Sequence, residues 1–236
     1  MLANDGLGTN VLTNLGTASI IIGPSPGLLT TPVPTIPSVP VSTNLPSAIT
    51  IKSLTHPEPE NWYSINDPEF SWSLPKDVTS VRLLYDKFPS SQPSILYDYR
   101  LTEKSLTEVK DGSYYFHAQA RNLAGWGPVT HFRFQIDTQK PESFEFEETL
   151  RTDESETAVR FSLSASDSGS GIKEYEIKVN DGEVIVIPAE VDTKQTIYQV
   201  DNLLGGNHTV IARAIDFAGN YLTDYLDVKV ELINPP

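Results

Sequence analysis

Asp137 in "QIDTQKP", Asp167 in "SDSGSG" and Asp216 in "DFAGN" are the carboxylates that could do chemistry together, provided the fold gathers them. Three carboxylates at one place repel one another unless a cation or a set of turn amides compensates. Calcium takes six to eight oxygen ligands, and Asn220 with backbone carbonyls could supply those that the aspartates do not. Their spacing matches no defined calcium loop. The competing reading is that each aspartate caps its own turn.

Other reactive side chains form no recognisable constellation. His56, His117, His131 and His208 are scattered, none has a second histidine at metal spacing, and there is no HExxH. His117 and His131 fall on outward positions of neighbouring strands, where an incidental pair is the plain expectation. "DSGSG" (167–171) contains a serine but lacks the GxSxG pattern and a His–Asp pair to serve it, so it reads as a turn. Trp62, Tyr63 and Trp126 could stack on sugars near loop tips, against the competing reading that they pack strand edges. There is no phosphate loop or dinucleotide fingerprint. Cysteine is absent, which removes thiolate zinc sites, iron–sulfur clusters, cysteine nucleophiles and disulfides together.

Charge narrows the partners. The chain has 236 residues and a formal net charge of −14, which repels nucleic-acid phosphates and anionic membrane surfaces alike. From Gln139 onward there are 19 Asp and Glu against 8 Lys and Arg, an excess that suits divalent cations or simply solubility. No apolar run is long enough to span a membrane. The opening "MLANDGLGTN" lacks the basic and apolar regions of a signal peptide. Anchoring or export therefore falls to sequence outside this piece, which reads as a fragment of a longer protein.

The elements that must position these residues are strands. From residue 50, short alternating segments such as "AITIKSL", "EFSWSL", "VTSVRLLYD", "SILYDYRL" and "THFRFQID" are bounded by Pro, Gly, Asp and Ser. A second set follows, including "AVRFSLSASD", "IKEYEIKVN", "EVIVIPA" and "YLDVKVEL". This is the pattern of all-β sandwiches, with helix nearly absent. Ahead of them, residues 1–23 hold one β-branched run, "TASIII", without a partner strand. Residues 24–49 carry seven prolines among Ser, Thr and Val, the composition of an extended, semi-rigid linker.

Two strands repeat at a shift of 94 residues. "YYFHAQARNLAGWG" (114–127) matches "HTVIARAIDFAGNY" (208–221): Ala118 maps to Ala212, Ala120 to Ala214, Gly125 to Gly219 and Gly112 to Gly206. Such recurrence belongs to architecture. Alternation places Tyr114, Phe116, Ala118 and Ala120 inward, and Tyr115, His117, Gln119 and Arg121 outward. His208, Val210, Ala212 and Ala214 form the corresponding inner face. The alanines act as spacers opposite a large residue, Trp72 in the first copy.

Gly112-x-Tyr114 followed by Ala118-x-Ala120-x-Asn122 and Gly125 resembles the penultimate strand of fibronectin-III and immunoglobulin-like domains. The resemblance implies a tyrosine corner at Tyr114, which the second copy replaces with His208. Together with "THPEPENWYSINDPEFSW", "SDSGSGIKEYEIKVNDG" and "AIDFAGN", it covers about residues 50–236 and looks like the Ig-like repeats of bacterial cell-surface proteins. "LANDGLGTNVLTNLGTASIIIG" is similar to the last loop and strand of a cohesin-type domain, which in such proteins often precedes a Pro/Thr-rich linker. The expected organisation is a cohesin-like remnant (1–23), a linker (24–49) and two tandem antiparallel sandwiches (50–138 and 139–236).

In such a sandwich the chain enters at the end bearing the second-to-third and sixth-to-seventh strand loops. Asp167 and Asp216 lie in those loops of the second module, and Asp137 arrives there from the first. The expected function is a non-enzymatic extracellular spacer or adhesion piece, at a bacterial surface or secreted, that presents a neighbouring binding domain. Its partners are other domains of its chain, then a polysaccharide or a surface protein. The alternative is a carbohydrate-binding accessory module using Trp62 or Trp126. Calcium at the joint is the one cofactor envisaged.

Overall fold

The computed structural model describes residues 43–190 and 195–231, all of which fall in one compact unit, Pro40–Pro236. The cohesin-like remnant and most of the proline segment lie outside these residues. The described part is all-β, with fifteen strands. Among its residues no helix is long and apolar enough to cross a membrane.

The first sandwich pairs a three-stranded with a five-stranded sheet. The smaller joins β1 (Ile51–Ser53), β3 (Glu69–Trp72) and β6 (Glu103–Ser105) in the order β1-β3-β6. The larger runs β2-β8-β7-β4-β5, from β2 (Trp62–Tyr63) through β8 (Gly125–Ile136), β7 (Gly112–Asn122) and β4 (Ser80–Asp86) to β5 (Ile95–Tyr97). All pairings are antiparallel except β2 with β8. Inward residues of both sheets make one core: Phe70 stacks on Phe116 at 4.2 Å between ring centroids, and Phe134 and Ile136 are fully buried beside them.

The second sandwich follows the same plan with its own core. One sheet has the order β13-β10-β9, from β9 (Ser143–Glu148), β10 (Val159–Ser166) and β13 (Thr196–Val200). The other runs β12-β11-β14-β15, from β11 (Ile172–Val179), β12 (Val184–Pro188), β14 (Gly206–Asp216) and β15 (Tyr221–Val230). Phe161, Leu163, Ile177, Val210, Ala212 and Ala214 all have 0% exposure. In β14 the buried Val210, Ala212 and Ala214 alternate with exposed Thr209, Ile211 and Arg213, the period of a half-buried strand.

The 94-residue repeat is therefore structural. Ala118 and Ala120 are buried as completely as their counterparts, in the same core as Trp72, whose Nε1 donates to Leu101 O at 2.8 Å. Gly112 and Gly206 begin equivalent strands with φ of 140° and 139°, where a side chain would be strained.

Several expectations change. "SILYDYRL" is not one strand: β5 stays with β4, and the chain then crosses to pair β6 with β3. Arg100 sits at that crossing and its Nη1 donates to the carbonyls of Pro75, Lys76 and Val78, tying the crossing to the loop between β3 and β4. Residues 44–49, the end of the proline segment, lie on the first sandwich rather than apart from it. Ile49 joins the core, its carbonyl accepts from Thr130 Oγ1 at 2.6 Å, and Asn44 O accepts from Asn122 Nδ2 at 2.8 Å.

The outward face of β7 is not bare either. His117 is fully buried beneath neighbouring side chains, and Gln119 is half-buried with Nε2 donating to Gly127 O. Tyr114 is buried and stacks on Phe134, and among the described residues its hydroxyl makes no hydrogen bond across a corner. His208 instead makes the backward bond, Nε2 to Leu204 O at 2.7 Å, with Nδ1 against Asn180 Nδ2 at 3.0 Å. That corner needs a side-chain donor a few residues downstream of the carbonyl, and imidazole can supply it as phenol does.

Candidate metal centre at the joint between the sandwiches

β8 ends at Ile136 and β9 begins at Ser143, so Asp137 is the first residue beyond the last strand of the first sandwich. Its amide still donates to Tyr63 O at 3.0 Å, which holds it to that sandwich. Its side chain belongs to the next one: Oδ2 accepts from the Ser170 amide at 2.7 Å, while Oδ1 takes the Gln139 amide at 3.1 Å. The loop closes over this carboxylate at Gly169, where a Cβ would collide with it. Asp167 Oδ2 accepts from the Gly171 amide at 2.5 Å within the same loop. Asp216, at the end of β14, accepts from the Asn220 amide and side chain, both at 2.8 Å, and Asn220 Nδ2 also reaches Asp137 O at 2.9 Å.

One carboxylate oxygen from each of Asp137, Asp167 and Asp216 lies within 4.8 Å of the others. Asp137 and Asp216 are 1% and 0% exposed, and Asp167 is half-buried. Among the described residues none of the three has a Lys, Arg or His ion-pair partner. Both sequence readings thus meet at one place, since each aspartate does take turn amides and all three nevertheless converge. Burial pushes the Asp216 carboxyl above its ordinary range; Asn220 opposes this, and the charge of Asp137 adds to it. Ser170, whose amide binds Asp137, carries a buried Oγ with no hydrogen-bond partner. The chemistry of this set is oxygen-only and anionic, which suits a hard divalent cation of calcium's size and coordination number.

The residue that sequence reasoning missed is Asn122. The shift of 94 that relates the copies places it at the position of Asp216. Asn122 is 2% exposed; its Nδ2 donates to Asp77 Oδ2 at 2.7 Å and to Asn44 O at 2.8 Å, while Oδ1 accepts the Ala124 amide. The entrance of the first sandwich is thus a loop carboxylate and the incoming chain bridged by an amide NH2. At the entrance of the second, Asn220 Nδ2 makes the corresponding bridge between the Asp216 carboxylate and Asp137 O, and what differs is that Asp216 stands where Asn122 does and faces two further carboxylates, Asp167 and Asp137. The signal was in the repeat, as the Asn-to-Asp change at matched positions.

The two candidate tryptophans lie far apart along β8. Trp62 and Trp126 are both half-buried. Trp62 pairs with Gln135 near one end of β8 and Trp126 lies at the other, about 30 Å away at about 3.3 Å per residue. Arg82 covers a face of Trp126, its guanidinium carbon 4.0 Å from the ring centroid, and Arg121 is at 5.6 Å. The two rings do not form one strip.

No protein-family model matches the chain, and no curated protein does. Solved structures with a similar fold include the fibronectin(III)-like modules of Clostridium thermocellum CbhA, at 17% identity and a TM-score of 0.47, over 77% of this chain and 94% of that one. The FN1–FN3 domains of chicken CNTN1 align at 12% identity and a TM-score of 0.38, over 80% and 68% of the two chains. The PKD1 domain from the Vibrio cholerae metalloprotease PrtV aligns at 18% and 0.30, over 40% of this chain and all of that one.

Proposed function

We propose that this chain is a non-catalytic spacer of an extracellular bacterial protein, and that calcium held by Asp137, Asp167 and Asp216 stiffens the joint between its two sandwiches. The observation that carries this reading is the convergence of three carboxylates, two of them buried, at the one place where the first sandwich hands the chain to the second. In the reading as a whole, residues 1–23 end a cohesin-like domain and the linker of 24–49 docks through its last residues. The sandwiches of 50–138 and 139–236 then carry that domain away from the envelope.

Asp167→Asn is the discriminating variant. The one hydrogen bond that its carboxylate accepts among the described residues, from the Gly171 amide, can be kept by the asparagine oxygen, while one charge leaves the cluster. Calcium should raise the melting temperature of the wild type over that in chelator, because a ligand that binds only the folded state stabilises it. The variant should show no such rise, and in chelator should melt no lower than the wild type. Identical melting of both proteins in both solutions would reduce the three aspartates to turn formers.

A further inference from the structure

His117 and His131 are direct cross-strand partners on β7 and β8, on the face of the sheet turned away from the core. Their Nδ1 atoms are 2.6 Å apart and their rings are nearly perpendicular, at 77°. On its other side His117 places Nε2 at 3.2 Å from Asp86 Oδ1. The same Asp86 oxygen accepts from the Phe88 amide at 2.8 Å, which holds the carboxylate in place as an acceptor for His117. The carboxylate fixes the tautomer: His117 carries its proton on Nε2 and turns the Nδ1 lone pair toward His131, which must then be the Nδ1–H donor. The Tyr115 ring lies nearly parallel to that of His117, at 17° and 6.3 Å between centroids.

We propose that this pair is a two-nitrogen site for a divalent transition-metal ion such as Zn2+, independent of the carboxylate joint. A carboxylate hydrogen-bonded to the far nitrogen of a ligating histidine is the outer support that metal sites use to orient imidazole and raise its basicity. Zinc–nitrogen bonds of about 2.0–2.1 Å at a tetrahedral angle need the two nitrogens about 3.3 Å apart. His131 is exposed and can retreat by that margin, while buried His117 stays fixed. The ion takes the place of the proton shared between the Nδ1 atoms. That proton leaves His131 Nδ1 for solvent and His131 takes one up at Nε2, so both imidazoles stay neutral and water completes the coordination shell. Arg133, the nearest cation along β8, is drawn off to Glu60 and Gln135. Nitrogen ligands select borderline transition ions over calcium, which separates this site from the oxygen-only joint.

The test is calorimetric titration of the full chain with ZnCl2 in excess calcium, with imidazole 15N NMR to identify the ligating atoms. The wild type and Asp167→Asn should bind zinc alike, with the Nδ1 resonances of His117 and His131 shifting. His131→Asn, an exposed change, should abolish the heat, and Asp86→Asn should weaken binding about 10–100-fold while leaving the same two nitrogens as ligands. Absence of zinc heat in the wild type overturns the proposal, as does undiminished binding in His131→Asn.

Discussion

A single buried ring gives the first sandwich a pH dependence of its own. His56 has 0% exposure, lies 4.8 Å from the Tyr63 ring, and has Nδ1 2.9 Å from Thr55 Oγ1. Burial lowers its pKa, with a backbone contact at Ile65 opposing, so the folded state prefers the neutral ring. The unfolded chain then binds more protons in the window between the lowered value and the ordinary one of about 6.5. Stability should accordingly be full above that ordinary value and fall as the pH drops through the window. Denaturant unfolding of the wild type and His56→Phe between neutral pH and the carboxylate range checks this. The difference between the two proteins should shift in favour of the variant on acidification, and parallel curves would remove His56 as the cause.

At the scale of elements, the small residues of β7 and β14 decide how closely the sheets approach. Ala118→Leu and Ala212→Leu each add bulk at a position with no exposure, and each should cost about 1–3 kcal/mol by overpacking. Ile211→Leu, one residue from Ala212 and 38% exposed, should change stability by no more than about 0.5 kcal/mol. Equilibrium unfolding measures all three, and equal losses would mean that the register of β14 is wrong. Gln119 is no such control, because its side chain binds Gly127 O. That difference marks what the sequence could convey. Alternation and turn residues made the strands and inner faces legible, since burial of one face follows directly from period two. The passage from β5 to β6, the bonds of Arg100 and the docking of residues 44–49 were not legible, because they depend on which carbonyls the tertiary fold leaves unpaired.

For the molecule as a whole, the informative comparison is of one entrance with the other. Convergence of Asp137, Asp167 and Asp216 could be anticipated, because the topology of a tandem sandwich brings those loops to the incoming chain. The role of Asn122 was legible only through the repeat, since by itself an asparagine at the end of a strand reads as a turn residue. Asn122→Asp would place at the first entrance the residue type that stands at the matching position of the second. It keeps the acceptor for the Ala124 amide, removes the donor to Asp77 and Asn44, and sets two carboxylates face to face. The cost should be about 3–5 kcal/mol at neutral pH, as for a buried charge left without a donor. It should shrink as the pH falls, because protonating the new carboxyl restores a donor. Added calcium should recover part of the loss in this variant. Unfolding in chelator and in calcium reads both effects, and a variant as stable as the wild type in chelator would show that the amide bridge is not what closes the entrance.

The hold on Asp137 also has a mechanical consequence. A pull on the two ends of the tandem must pass through the backbone between Ile136 and Ser143. There the Ser170 amide grips the Asp137 carboxylate and the Asn220 side chain grips its carbonyl. Both bonds tie the departing chain to loops of the second sandwich and lie beside the covalent path, so they share the force. Bending or stretching the tandem therefore loads this clasp along with the six residues of backbone that it spans.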